Sequence, residues 1–172
     1  MEDEVLIPVF GSCPTYLNKH QDTVQRHILL ELGHAGLEWR SIGQTDYPDK
    51  FPLREVHILA KHCSGGVILG FSQFETKTGV WKRGTPYTRR QNKILKFPTA
   101  WNQLEGGILF ALGLPFLVFR EYGVSGGIFD NGVTDLFIHQ IPNSKLTREN
   151  RTEVREVIRK WAHKVHAHYY RE

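Results

Sequence analysis

The sequence predicts an α/β domain: a mainly parallel sheet of five strands with helices on both faces. Two patterns carry most of this. Short apolar runs alternate along the chain with longer segments whose apolar residues recur at helical spacing, as in strand–helix–strand units. Two of the runs, residues 66–71 and Phe116-Leu117-Val118-Phe119, are apolar without interruption, as strands covered on both faces are. Composition is the third observation. With 172 residues, 40% hydrophobic and 23% charged, the chain can bury a core of its own, and a single domain over 1–172 is expected.

Residues 5–10 read as the first, central strand, ending in the loop Gly11-Ser12-Cys13-Pro14-Thr15-Tyr16. A helix follows over 21–35, with Val24, Ile28 and Leu32 on one face and Gly36 as its stop. Residues 37–42 form a second, more polar strand, which suits a sheet edge. After a turn-rich connection over 43–52, a second helix runs over 53–63 with Leu53, Val56, Ala60 and Cys63 facing inward. The third strand is 66–71.

The pattern then breaks. Residues 72–97 hold Lys77, Lys82, Arg83, Arg89, Arg90, Lys93 and Lys96 against one acid, Glu75, with Trp81 and Tyr87 interleaved. This basic insertion has three readings: a solvated, partly disordered excursion, a lid over the phosphates of a dinucleotide, or a nucleic-acid patch. They are ranked in that order. The next helix starts near Pro98, places Trp101, Leu104, Ile108, Leu109 and Leu112 on a stripe, and stops at Gly113 and Pro115 before the fourth strand. A glycine-rich loop over 121–134 surrounds Asp130 and Asn131, residues 136–141 form the fifth strand, and Thr147 caps a last helix striped by Val154, Val157, Ile158, Trp161 and Val165.

Composition also excludes classes of function. No apolar run approaches a membrane span. The opening MEDEVLIPVF is acidic and leads into a strand, so it does not read as a signal peptide, and two cysteines make no disulfide framework. A cytoplasmic protein is expected. Net charge is only +4, and nucleic acid is not an expected partner on that ground. His163, His166 and His168 cluster without acidic or cysteine partners, so no metal is expected.

Glu105 is the anomaly, the only acid between Glu75 and Glu121, one helical turn after Trp101. Trp101-Asn102-Gln103-Leu104-Glu105 resembles the W-x-x-x-E segment of TIR domains, in which the glutamate is catalytic where NAD is cleaved. Glu105-x-Gly107 followed by Ala111-Leu112-Gly113-Leu114-Pro115 is also similar to the nucleoside 2-deoxyribosyltransferases, whose glutamate is the nucleophile. Leu114 stands where those enzymes carry a lysine, and no D-x-G-T precedes the glutamate. The serine and cysteine that flank the tryptophan in TIR domains are absent. The likeness is specific over about 20 residues. It implies a flavodoxin-like fold with strand order 2-1-3-4-5, and cleavage of an N-glycosidic bond in NAD or a related nucleotide or nucleoside. It implies no separate cofactor, the nucleotide being substrate or ligand. Bacterial relatives of this kind often serve in antiviral defence.

In such sheets ligands sit beyond the carboxyl ends of the strands, at the switch point. Glu105 is therefore the expected catalytic carboxylate, kept ionised by the start of its helix. Gly11, Ser12, Cys13 and Tyr16 are substrate-contact candidates after the first strand; turn chemistry explains Ser12 and Tyr16 as well, and Cys13 reads better as a small buried residue. Arg54 could meet a phosphate or be a surface charge, and Phe71 could stack on a base or fill the core. Trp101 reads more readily as core than as a sugar platform, and Asn102 as a helix cap rather than a ribose contact. Asp130 and Asn131 fit a turn slightly better than a ribose site. The rivals to an enzyme are a module that binds a nucleotide signal without turnover, and a self-association domain acting through Trp161, Tyr169 and Tyr170.

Overall fold

A computed structural model describes residues 5–43, 51–142 and 144–171. In chain order the elements are β1 (Ile7–Ser12), α1 (Lys19–His34), β2 (Leu37–Arg40), α2 (Pro52–Lys61), β3 (Gly66–Gly70), β4 (Phe74–Thr76), β5 (Gly79–Trp81), β6 (Arg89–Gln91), β7 (Leu95–Phe97), α3 (Ala100–Ala111), β8 (Phe116–Glu121), a 3₁₀ turn (Gly127–Phe129), β9 (Ile138–Ile141) and α4 (Arg148–Tyr169). Five strands form one parallel sheet in the order β2-β1-β3-β8-β9. That is the flavodoxin-like order expected, with the polar β2 at an edge.

Two cores flank the sheet. Alternation along β1 sends Ile7 and Val9 to one face and Phe10 to the other. On the first face Val24, Ile28 and Leu32 of α1 pack with Ile158, Trp161 and Val165 of α4. On the second, Val56 and Ala60 of α2 and Leu109 of α3 cover Ile68 and Val118. Helix α3 comes unusually close. A Cβ on Gly66 of β3 would stand 2.4 Å from Leu109 Cδ1, and one on Gly106 of α3 would stand 2.5 Å from Ile128 Cδ1. Bare backbone at both positions is what lets this helix sit against the sheet.

Four expectations change. The central strand begins later than residue 5, because Val5 and Leu6 are exposed before the pairing starts. In α2, Leu53 faces solvent; Val56, Ala60 and Cys63 do face inward. In α3 the buried face is Asn102, Gly106 and Leu109, while Trp101 and Leu104 lie on the open side. The stripe of large apolar residues misled because the closest contacts here are made by a glycine and an amide.

The fourth concerns residues 72–97, which are solvated but ordered. They form a two-tier antiparallel ribbon: β4 pairs with β7 at its root and β5 with β6 above. The root is well tied. The buried Glu121 carboxylate accepts from the Ser72 backbone N–H at 2.7 Å and from Gln21 Nε2 at 3.0 Å. Lys96 pairs with Glu75 at 3.2 Å, and Phe74 meets Phe97 across the strands. At the tip, the Lys82 carbonyl accepts from the hydroxyls of Thr85 and Thr88, both at 2.8 Å.

The turn-rich connection expected over 43–52 falls largely on residues 44–50, outside the described residues. Among the described residues no helix is long and apolar enough to cross a membrane.

Candidate functional site

A cleft of about 190 Å³ opens at the carboxyl end of the sheet. Cys13, Pro14 and Thr15 line it after β1, Ser41 and Ile42 after β2, Pro52 and Val56 from α2, and Thr99, Trp101 and Glu105 from the start of α3. This is the switch point of the sheet, where β1 has β2 on one side and β3 on the other. Three of the residues singled out in the sequence meet here: Cys13, Trp101 and Glu105.

Helix α3 starts where it does because Thr99 caps it. The Thr99 hydroxyl accepts from the Asn102 backbone N–H at 3.2 Å. Glu105 is thus the sixth residue of the helix, beyond the first turn in which the dipole acts strongly. The expected stabilisation of its charge by the helix start is accordingly overridden. Burial dominates and raises the Glu105 pKa to about 7, while a hydrogen bond with Ser12 pulls the other way. No salt bridge reaches Glu105 among the described residues, so its presence is not explained by pairing with an arginine.

A chain of side-chain hydrogen bonds stands behind the carboxylate. Thr99 Oγ1 donates to Asn102 Oδ1 at 3.1 Å, which orients the amide. Asn102 Nδ2 then donates to Ser12 Oγ at 2.7 Å. Both Asn102 and Ser12 are 1% exposed. With one lone pair of Ser12 so occupied, its single proton is free to be donated to Glu105. Asn102 therefore is not the cap it was expected to be. It is the brace that aims Ser12, and Ser12 lies behind the cleft wall rather than on it.

Cys13 is neutral in this setting. Burial, and secondarily the Glu105 charge, push its thiol up to about 12, which fits a small sheltered residue rather than a nucleophile. Trp101 is 45% exposed at the cleft, so the core reading preferred for it is corrected: a helix turn carrying Asn102 inward carries Trp101 to the open side.

The remaining candidates lie elsewhere. Phe71 is wholly buried with the α1–α4 core and offers no face for stacking. Gly11 is where the Trp39 ring crosses β1, since a Cβ there would fall 2.0 Å from Trp39 Cε2. Tyr16 and Arg54 are exposed and are not among the cleft-lining residues. Asp130 Oδ1 accepts from the Gly126 N–H at 2.8 Å, closing its own turn, and Asn131 is exposed beside it. That glycine-rich loop is held to α3 by Gln103, whose side chain donates to the Gly126 carbonyl and accepts from Ile128 N–H.

Sequence reasoning missed Thr99, Ser41, Gln103 and Glu121. A threonine just ahead of an apolar helix was a readable signal for Thr99. Gln103 and Glu121 are fixed by partners distant in the chain, which spacing does not reveal, and Ser41 reaches the cleft only through the fold.

Among the described residues no group of three or more His, Cys, Asp or Glu could hold a metal ion. His166 instead hydrogen-bonds the Ala35 carbonyl at 3.0 Å.

No family model and no curated protein matches this chain. Among solved structures it is similar to the metal-soaked Flv1 flavodiiron core from Synechocystis sp. PCC6803, with a TM-score of 0.58 and 14% sequence identity. The match covers 96% of this chain and 37% of the other, so this chain spans little more than a third of that protein's length. At such identity the likeness concerns the fold, and it agrees with the sheet order: this is a flavodoxin-like α/β domain.

Proposed function

We propose that this chain is an N-glycosidase or glycosyltransferase of the TIR-like and deoxyribosyltransferase-like group, acting on NAD or a related nucleotide with Glu105 as the catalytic carboxylate. The observation that supports it is a glutamate without a cationic partner among the described residues, set in a cleft at the sheet's switch point and braced through Ser12 and Asn102. Structural ion-pair networks do not account for such a group, whereas reaction sites commonly contain one.

Breaking an N-glycosidic bond builds positive charge at the anomeric carbon. An ionised Glu105 would stabilise that charge or bond to the carbon as the base leaves, and water or an acceptor would then release the sugar. Ser12 donates to the ionised form and favours it against burial. Trp101, exposed one turn away, would flank the sugar or base.

The cleft also bears on substrate class. Apart from Glu105 and a neutral thiol, its described lining carries no ionisable side chain that could protonate a departing base. A base that leaves neutral without taking a proton suits this arrangement, and the pyridinium of NAD does so. The volume of about 190 Å³ fits one portion of a nucleotide, being below the ~300 Å³ at which whole-ligand pockets begin.

The same absence of a second acid favours one rival, a module that binds a nucleotide without cleaving it. Incubation with NAD, NADP and a panel of nucleosides, followed by chromatography of released base, separates the two. Release that disappears in Glu105→Gln supports the enzyme. Intact nucleotide that raises the melting temperature supports the binding module.

A further inference from the structure

We propose that the ribbon formed by residues 72–97 is a binding arm for single-stranded nucleic acid, which grips the phosphate backbone with its cations and stacks bases on its aromatic rings. The inference is independent of the chemistry at Glu105.

Charge is the first ground. Of the chain's 22 basic residues seven lie in this stretch, against one of its 18 acidic residues. The arm therefore has a surplus of six positive charges while the remainder of the chain is negative by two. The modest net charge of the whole protein hides this separation. A second copy of so weakly acidic a body is a poor match for such an arm; a phosphodiester chain, with one charge per nucleotide, is a good one.

Geometry is the second. Residues 77–90 are exposed without exception, yet the tip is ordered by its own hydrogen bonds. A bare two-stranded ribbon is marginal in water, so one held out at this length and carrying seven cations against one acid is suited to meeting something anionic. Among the described residues only Lys96 of the seven cations has an acidic partner. Lys77, Lys82, Arg83, Arg89, Arg90 and Lys93 form no ion pair with any described residue.

The aromatic rings are the third ground, and they choose between single and double strands. Register pairs Trp81 with Arg89 across β5 and β6, and the guanidinium lies 6.0 Å from the indole centre. Trp81 Nε1 also donates to Gln91 Oε1 at 3.2 Å, which fixes the ring in place. At the tip Lys82 lies 5.2 Å from the ring centre of Tyr87, itself 74% exposed. Each ring thus has a cation over one face, so a base stacked on the other face brings its phosphate within reach of a charge. Unpaired bases offer their faces to such rings, and duplex bases do not.

None of the described residues lining the Glu105 cleft comes from 72–97, which argues against a lid over that cleft.

The test uses the full chain and fluorescence anisotropy with labelled dT20, rU20, a mixed-sequence duplex of the same length, heparin, and anionic vesicles. The expected result is binding to dT20 or rU20 in preference to the duplex, with DNA and RNA arms showing which is favoured. If all six unpaired cations meet phosphates, the log–log salt slope is about −4, at roughly 0.7 per contact. The triple variant R83Q/R89Q/R90Q should flatten that slope by about 2 and weaken binding at least tenfold. Tyr87→Ala, at an exposed tip, should weaken it about 5- to 100-fold.

The proposal is overturned if wild-type protein fails to bind either oligonucleotide at low salt, or if the triple variant binds as well as wild type. It is also overturned if duplex or vesicles bind in preference, or if heparin competes fully while Tyr87→Ala has no effect. That last pattern would mark a general polyanion patch.

Discussion

The cleft and the arm are opposite solutions to placing charge. In the cleft a single half-buried carboxylate is partly withdrawn from water, and that desolvation lifts its pKa to about 7. On the arm six exposed cations have no acidic partner among the described residues, and two of them, Lys82 and Arg89, lie over aromatic rings. The difference teaches where sensitivity lies. A buried lone charge is costly and acutely responsive to a neighbouring hydroxyl. A solvated cluster costs the fold little and responds to salt. Substitutions should therefore disturb chemistry at one region and association at the other, with little crossing between them.

The largest expected effect is Glu105→Gln, which should lower base release from NAD on the order of 10³-fold while leaving oligonucleotide binding unchanged. Loss of both together would break the separation. The same variant sharpens it through stability. The folded-state pKa of Glu105 lies above its ordinary 4.5, so its protonated form is favoured by folding. Its contribution is complete below pH 4.5 and lost as pH rises through about 7. Thermal melts should show Glu105→Gln more stable than wild type at pH 8, by about 3 kcal/mol at most, and equal to it near pH 4.

Next comes Gly66→Ala. Its new methyl would meet Leu109 at 2.4 Å, and chemical denaturation should report a loss of about 2 kcal/mol. By contrast, replacing residues 77–93 with a two-residue Asn-Gly turn, which keeps the rooted β4–β7 pair, should leave the melting temperature within a few degrees of wild type.

Smaller still is the effect of Ser12→Ala. Removing the hydroxyl withdraws the one contact that lowers the Glu105 pKa, so that pKa moves further up. If the ionised carboxylate is the working form, wild-type activity rises with pH and is half-maximal near 7. In Ser12→Ala the same rise should be displaced to higher pH, with activity recovering at alkaline pH. A profile lowered uniformly at all pH values would assign Ser12 a different part.

Much of the architecture was legible in the sequence. Uninterrupted apolar runs at β3 and β8, and helical spacing in α1 and α4, depend on residues close together in the chain. The sheet order came through resemblance, and the topology agrees with it. The phase of α3 was not legible. Hydropathy favoured Trp101 and Leu104, but contact with the sheet is made where Gly106 has no side chain and Asn102 has a partner 90 positions away. Glu105 drew notice as an isolated acid, yet the reason for its altered acidity, burial only partly offset by a hydrogen bond from Ser12, lay outside any local pattern. The ribbon was hidden for a related reason: its strands are three residues each and rich in charge, below what alternation can reveal.

The join between the two regions is short. Strand β7 ends at Phe97 and the cap of α3 is Thr99, with Pro98 alone between them. One extended residue spans roughly 3.5 Å, and proline fixes one of its two torsions, so the joint has almost no slack. Thr99, whose hydroxyl orients Asn102 and through it Ser12, is thus placed by the rooted β4–β7 pair and not by the arm's tip, which is why the tip can change while the cleft keeps its geometry.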